Sequence, residues 1–276
     1  MASLDELLSR WRDDLSAWAI PERITSAVAE SPWVLPRQVF ARRADRLAHA
    51  PAGASYERAR EALAPAGTVL DIGSGAGAAC LPLAPYATTV TAVDTDERML
   101  ALLAERAGAI GLDLCAVAGQ WPGVAGHLPP ADVVTCHHVI YNVPEVAPFL
   151  TELTSHARRR VIVETTTVHP LTVLSPLWLR FHGLTRPTSP TAGDLLAILS
   201  EMGLKAGHTE WSRPAEADYA SFPELADVTR RRLCLPPERA SEVEAALLDM
   251  GIDRARPGDL GSSGRDVVTI WWEGTA

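Results

Sequence analysis

One stretch, "TVLDIGSGAG" at residues 68–77, restricts the fold more than any other part of the chain. Its β-branched, apolar start reads as a buried strand, and Gly73, Gly75 and Gly77 then mark a sharp turn. Glycines are required where a chain must turn tightly and a ligand must approach bare backbone. Four further apolar runs follow: "TTVTAVD", "LDLCAVAG", "ADVVTCHH" and "RRVIVETTT". The segments between them, "ACLPLAPYA", "DERMLALLAERAGAIG", "WPGVAGHL" and "VPEVAPFLTELTSHA", are read as helices. Strands alternating with helices of this length predict a parallel sheet covered on both faces.

Material on either side of this core has a different character. Leu4, Leu7, Leu8, Trp11, Leu15 and Trp18 recur at helical spacing, and further helices are expected at about 36–48 and 56–63. Residues 1–66 are therefore expected to form a helical extension, with 67–276 as the α/β domain. Within that domain the Pro- and aromatic-rich segment 168–190 and the helical segment 212–250 are expected to form a cap. "TAGDLLAILSEMGL" is a helix with Thr191 as N-cap and Gly203 as its stop. "KAGHTEWSR" and "RDVVTIWWEG" complete the set of strands.

The glycines alone do not choose a ligand, because Gly73, Gly75 and Ala78 also satisfy the looser GxGxxA pattern of dinucleotide binders. Two acids narrow the choice. Asp71 precedes the turn, where a carboxylate repels a pyrophosphate but attracts an ammonium group. Asp94 ends the second strand, 17 residues after Gly77, where it can accept both hydrogen bonds of a ribose diol.

"VLDIGSGAG" followed by "VTAVDTDERML" resembles the first two motifs of the class I S-adenosylmethionine-dependent methyltransferases. The resemblance covers residues 67–167 well and the final strands loosely. It implies a Rossmann-like sheet of seven strands, mostly parallel with the last antiparallel, flanked by helices and carrying S-adenosylmethionine over its carboxyl edge. By position, Asp71, Gly73, Ser74, Gly75, Gly77 and His137 would lie at the methionine part, with Asp94 and Thr95 at the ribose. Gln120 and Trp121, in the loop after the third strand, would meet adenine, although Trp121 is equally readable as a core residue.

Acceptor chemistry is expected where strand four ends, in "CHHVIYNVPEV". His138, Tyr141 and Asn142 lie there, and His169 follows strand five. A histidine is a natural base for a hydroxyl or amine near neutral pH, yet some acceptors need none and such histidines often only cap a turn. Glu164, at the end of strand five, is also expected near the pocket. Trp178, Phe181 and His182 in the cap segment are expected to contact substrate, while Trp18 and Ser31–Trp33 are candidates to close over the cofactor. No HxH or HxxxH spacing supports a metal.

The expected activity is methyl transfer to oxygen, nitrogen or carbon of a small molecule. A nicotinamide-dependent oxidoreductase and a catalytically inactive S-adenosylmethionine-binding scaffold or regulator remain the alternatives. A formal charge of −9 disfavours a nucleic-acid partner, and "YNVP" departs from the Asn/Asp-Pro-Pro-Tyr signature of nucleobase methyltransferases. The arginine runs 158–160 and 230–232 are read as solvated. No window offers the ~20 apolar residues of a membrane span, and the N-terminal segment has no apolar core typical of a secretory signal. A cytoplasmic monomer or homodimer with reduced cysteines is expected.

Overall fold

The computed structural model describes residues 2–33, 35–214, 218–258, 260 and 265–276. Seven strands form one sheet among these residues: β1 (Gly67–Ile72), β2 (Ala87–Asp94), β3 (Leu114–Ala118), β4 (Ala131–His137), β5 (Ala157–Thr166), β6 (Gly207–Ser212) and β7 (Asp266–Glu273). Their spatial order is β3-β2-β1-β4-β5-β7-β6. Pairings from β3 through β5 are parallel, and β7 runs antiparallel to both β5 and β6.

Side-chain alternation explains why both faces are covered. Leu70 and Ile72 of β1, with Val134, Val161 and Val268, point to one face. There they meet helices α1 (Leu4–Ser16), α6 (Val146–Ser155) and α8 (Ala192–Glu201) through Trp11, Phe149 and Leu195. Val69, Val133 and Ile162 point the opposite way, to α3 (Arg37–His49), α4 (Ala54–Leu63) and α5 (Glu97–Ala109) through Ala44, Leu63 and Leu103. The early helices thus pack directly on the sheet.

A third core lies off the sheet. It joins α7 (Ser175–His182), α9 (Phe222–Arg232) and α10 (Ala240–Asp249) through Trp178, Leu225 and Leu247. Ile24 of the one-turn α2 (Glu22–Thr25) and Val39 of α3 pack into the same cluster. The expected segment 212–250 accounts for α9 and α10, while its residues 215–217 lie outside the described residues.

Two expected helices are not α-helical. "ACLPLAPYA" forms turns and one 3-10 turn, Leu81–Leu83, because Pro82 and Pro85 lack the N–H groups a helix needs. "WPGVAGHL" likewise gives turns and a 3-10 turn at Ala125–His127. The stop signals of α8 follow the sequence: Thr191 and Asp194 form a reciprocal capping box, and Gly203 takes φ 78° just beyond the C-cap.

Candidate active site

A cavity of about 690 Å³ opens over the carboxyl ends of the parallel strands. At one end β1 delivers the glycine turn. Gly73 adopts φ 69°, and a Cβ there would run into Val139 Cγ2, so the chain at this point must be bare. The Gly73 and Ser74 N–H groups donate to Val93 O at 2.8 and 3.1 Å, tying the turn to β2. Gly77, φ 97°, does not line the cavity. A Cβ there would meet Leu103 Cδ1 at 2.5 Å and Leu81 at 2.8 Å, so its smallness permits close packing beneath the turn.

Asp94 holds this end together. Its Oδ2 accepts the Gly75 N–H at 2.8 Å and its Oδ1 the Asp96 N–H at 2.9 Å. A carboxylate has about four lone-pair directions, so each oxygen keeps capacity for a further donor. Thr95 and Gln120 line the same wall. Trp121 lines it as well, while its indole N–H donates to Phe149 O at 3.4 Å and its ring edge meets His156. It is both a wall of the cavity and a core residue.

Three buried polar atoms around the turn lack a partner: Asp71 Oδ2, Ser74 Oγ and His137 Nε2. Buried polar groups are normally satisfied, and the two of these that line the cavity, on Ser74 and His137, match a polar ligand with donors and acceptors of its own. Asp71 itself stands behind the wall, accepting Thr135 Oγ1 at 2.8 Å. Burial raises its pKa, against the pull of His137 and Thr135. The residues present therefore fit an amino-acid nucleoside: a bare turn, an acid with spare acceptor capacity, and unpaired polar atoms.

The other end of the cavity is built from the ends of β4 and β5, from α3, and from residues before and at the end of α9. His138 follows β4 with φ 59°, an uncommon conformation for a non-glycine residue, and its N–H donates to Glu164 O at 2.8 Å. Its Nε2 lies 2.9 Å from Glu164 Oε1, and Arg213 closes on both groups. Nε2 thus meets both an acceptor-only carboxylate and a donor-only guanidinium, while the buried Nδ1 has no partner. Burial first, then Arg213, lowers the His138 pKa to about 3 against the opposing effect of Glu164. Burial opposes ionisation of Glu164, but Arg213, His137 and His138 hold its carboxyl well below the usual range. Ser55 anchors the second Glu164 oxygen at 2.6 Å.

Tyr141, Asn142 and His169 complete this wall. The His169 ring stacks on Trp18 with centroids 4.0 Å apart, and its Nδ1 accepts the Leu171 N–H at 3.3 Å. Burial first, then Arg232 and Arg186, lowers its pKa to about 3. Both histidines are neutral at physiological pH.

Trp178, Phe181 and His182 stand apart from this cavity. Trp178 is buried in the cap core beneath the Arg186 guanidinium, and His182 Nε2 pairs with Leu233 O at 2.6 Å. Phe181 is flanked by Arg180 and Arg239. Their aromatic content serves the packing of α7 on α9 and α10. Of the candidate closing residues, Trp33 lines the mouth of the cavity and is about half exposed, while Trp18 packs behind His169.

Residues that the sequence did not single out supply much of the far wall. Arg43 and Arg46 of α3 both bind Asp218, which precedes α9, the Arg46 bond measuring 2.6 Å. Arg232 ends α9 and is buried, so the run 230–232 is not a solvated one. One signal was available: Arg43 sits four residues from both Val39 and Leu47, a charge placed on the apolar face of its helix.

Residues 70–162 match the model of a methyltransferase domain. No curated protein matches the chain. Among solved structures, the YcgJ protein from Bacillus subtilis is 19% identical with a TM-score of 0.51, covering 80% of this chain and 98% of that one. Magnesium protoporphyrin IX methyltransferase (ChlM) from Synechocystis PCC 6803, solved with bound S-adenosylhomocysteine, is 17% identical with a TM-score of 0.50. The two chains are covered to 86% and 84%. At such identities the likeness concerns the fold. The chain is thus similar to methyltransferase domains over residues 70–162, and its sheet has the fold of these solved structures.

Proposed function

We propose that this methyltransferase acts on a small-molecule acceptor, modifying an oxygen, nitrogen or carbon atom. The observation carrying this reading is the cavity that joins the glycine turn and Asp94 to the wall of His138, Tyr141 and His169. Gly73, Ser74, Gly75 and His137 would hold the methionine part of the cofactor, with Asp71 acting from behind. Asp94 and Thr95 would hold the ribose, and Gln120 and Trp121 the adenine. When bound, the cofactor supplies an activated methyl group for in-line displacement, leaving alignment and water exclusion to the protein.

His138 is suited to orienting the acceptor rather than to removing its proton beforehand. Its ring is held in place at the cavity wall by Glu164 and Arg213, and an imidazole whose pKa is lowered to about 3 is a weak base. Tyr141, Asn142 and His169 would shape the remainder of the acceptor space.

The oxidoreductase alternative loses its main support. The glycine turn leads into turns and a 3-10 turn of three residues, not into an α-helix whose N-terminus would face a pyrophosphate. The test is direct. Calorimetry with S-adenosylmethionine and NADH should give binding of the first only. Incubation with S-adenosylmethionine and an acceptor panel should then release S-adenosylhomocysteine. Binding of NADH alone would overturn the reading, and cofactor binding without turnover across the panel would favour the scaffold.

A further inference from the structure

Two buried hydroxyls stand behind the His138 wall. Ser55, the second residue of α4, and Thr269, midway along β7, are 1% and 0% exposed, and their oxygens lie 2.7 Å apart. Ser55 Oγ reaches Glu164 Oε2 at 2.6 Å, and the Trp211 indole N–H donates to Thr269 Oγ1 at 2.9 Å. The pleat explains this row. His137, Glu164 and Thr269 are register partners on β4, β5 and β7, and Thr269 pairs in turn with Thr209 of β6. Trp211, two residues beyond Thr209, projects from the same face of the sheet. A Cβ on Gly53 would run into the Trp211 indole, so bare backbone before α4 admits the ring.

Hydrogen-bonding capacity fixes the sense of the row. An indole N–H only donates, and an ionised carboxylate only accepts. Glu164 is ionised, its carboxyl held well below the usual range. The Ser55 hydrogen therefore goes to Glu164, the Thr269 hydrogen to Ser55, and the indole hydrogen to Thr269. All of them point toward the carboxylate, and successive bonds in such a chain polarise and strengthen one another.

We propose that Ser55 and Thr269, with Trp211, are positioning residues for the acceptor wall: their one-way hydrogen-bond chain fixes the Glu164 carboxylate and, through it, the His138 ring. This inference rests on the methyltransferase reading and deepens it, naming residues that act on the same site from behind. The two oxygens of a carboxylate share one rigid plane, so holding Oε2 on Ser55 sets where Oε1 lies. Oε1 is the atom that meets His138 Nε2 and Arg213. Without the Ser55 hydroxyl, Oε2 would be a buried anionic oxygen short of a donor, which is costly. Trp211, Ser55, Glu164 and His138 line the cavity, whereas Thr269 does not. Thr269 thus acts on the wall only through its neighbours, which makes it the place to test the chain.

The test is NMR of the histidine ring nitrogens in the full chain saturated with S-adenosylhomocysteine. The His138 signals are identified by their loss in His138→Gln. Thr269→Val removes the hydroxyl with little change of shape, and should shift the His138 ring resonances by more than a line width. Ser55→Ala should do the same. Thr269→Ser, which keeps the hydroxyl, should leave them where the unaltered chain has them. His169, on the same cavity but off the chain, should keep its resonances in every variant. Should Thr269→Val or Ser55→Ala lose affinity for the cofactor analogue, Trp211→Phe removes the first donor at a half-buried side chain and carries the same test. His138 signals unmoved by loss of the donors, moved as much by Thr269→Ser, or matched by shifts at His169 overturn the chain. Failure of the unaltered chain to bind S-adenosylhomocysteine overturns the methyltransferase reading instead, and calorimetry before the spectra separates the two results.

Discussion

His138 is held to Glu164 twice, by its backbone N–H on Glu164 O at 2.8 Å and by its ring Nε2 on Glu164 Oε1 at 2.9 Å. The double tie fixes both the main chain after β4 and the face of the imidazole that the cavity meets. On the proposed reading His138 is a positioning group, whose contribution should appear in turnover more than in cofactor affinity.

His138→Ala is expected to lower kcat on the order of tenfold, as for one lost neutral hydrogen bond, with the Kd for S-adenosylmethionine unchanged. Because the His138 imidazole stays neutral down to about pH 3, His138→Ala should leave the shape of the kcat profile between pH 5 and 8 unchanged. Steady-state kinetics across that range, with calorimetry on the variant, checks both statements. Full activity of the variant would remove His138 from the acceptor site.

Stability should fall as the solution is acidified from about pH 6.5. Burial, reinforced by arginines, lowers His138 and His169 from 6.5 to about 3, so between those values the unfolded chain binds more protons than the folded one. Each site then removes at most about 1.4 kcal/mol per pH unit. Glu164 and Asp218, depressed by their arginines, add to the loss at lower pH, whereas the raised Asp71 acts with the opposite sign. Denaturant melts at pH 7, 6 and 5 should show the decline, and His169→Gln should flatten it.

Two glycines of similar backbone conformation separate strain from collision. Gly73 and Gly111 have φ of 69° and 68°, but only Gly73 has a side chain where a Cβ would go. Gly111→Ala should cost about 1 kcal/mol from its left-handed conformation alone. Gly73→Ala should cost about 1–3 kcal/mol more, because Val139 is displaced against the core, and should weaken cofactor binding. Equal melting temperatures for the two variants would contradict this account.

Asp94→Ala should weaken S-adenosylhomocysteine binding by on the order of 1.5–3 kcal/mol. The carboxylate also accepts the Gly75 and Asp96 N–H groups, so part of the loss comes from the turn itself. Asp94→Asn, which keeps one acceptor oxygen, should recover a share of the affinity in the same calorimetric titration.

The donor half was legible because its signals are local. A strand, its glycine turn and the acid ending the next strand lie within 27 residues, 68–94, and short-range chemistry decides their form. The proline-bearing segment after the turn was misread as a helix, since its apolar spacing hid two missing N–H groups. The other end of the cavity is assembled across the chain: Arg43 meets Asp218 from 175 positions away, and Arg213 meets Glu164 across 49. No local pattern announces such pairs. Trp178, Phe181 and His182 show the converse. Aromatic content is the same whether a helix faces a ligand or a neighbouring helix, and only the packing of α7 on α9 and α10 decides between them.

The position of β7 has a consequence for how the molecule is made. It lies between β5 and β6 and pairs with both, yet it leaves the ribosome after either of them. The five strands beneath the donor pocket are complete by residue 166, a hundred residues before β7 begins. Until then β6 has no strand to join, and Thr269, which takes hydrogen bonds from Trp211 and links to Ser55, is absent. Proteolysis of stalled chains from which residues 1–255 or residues 1–276 have emerged from the ribosome should find a protected donor half in both, and a protected β6 only in the longer.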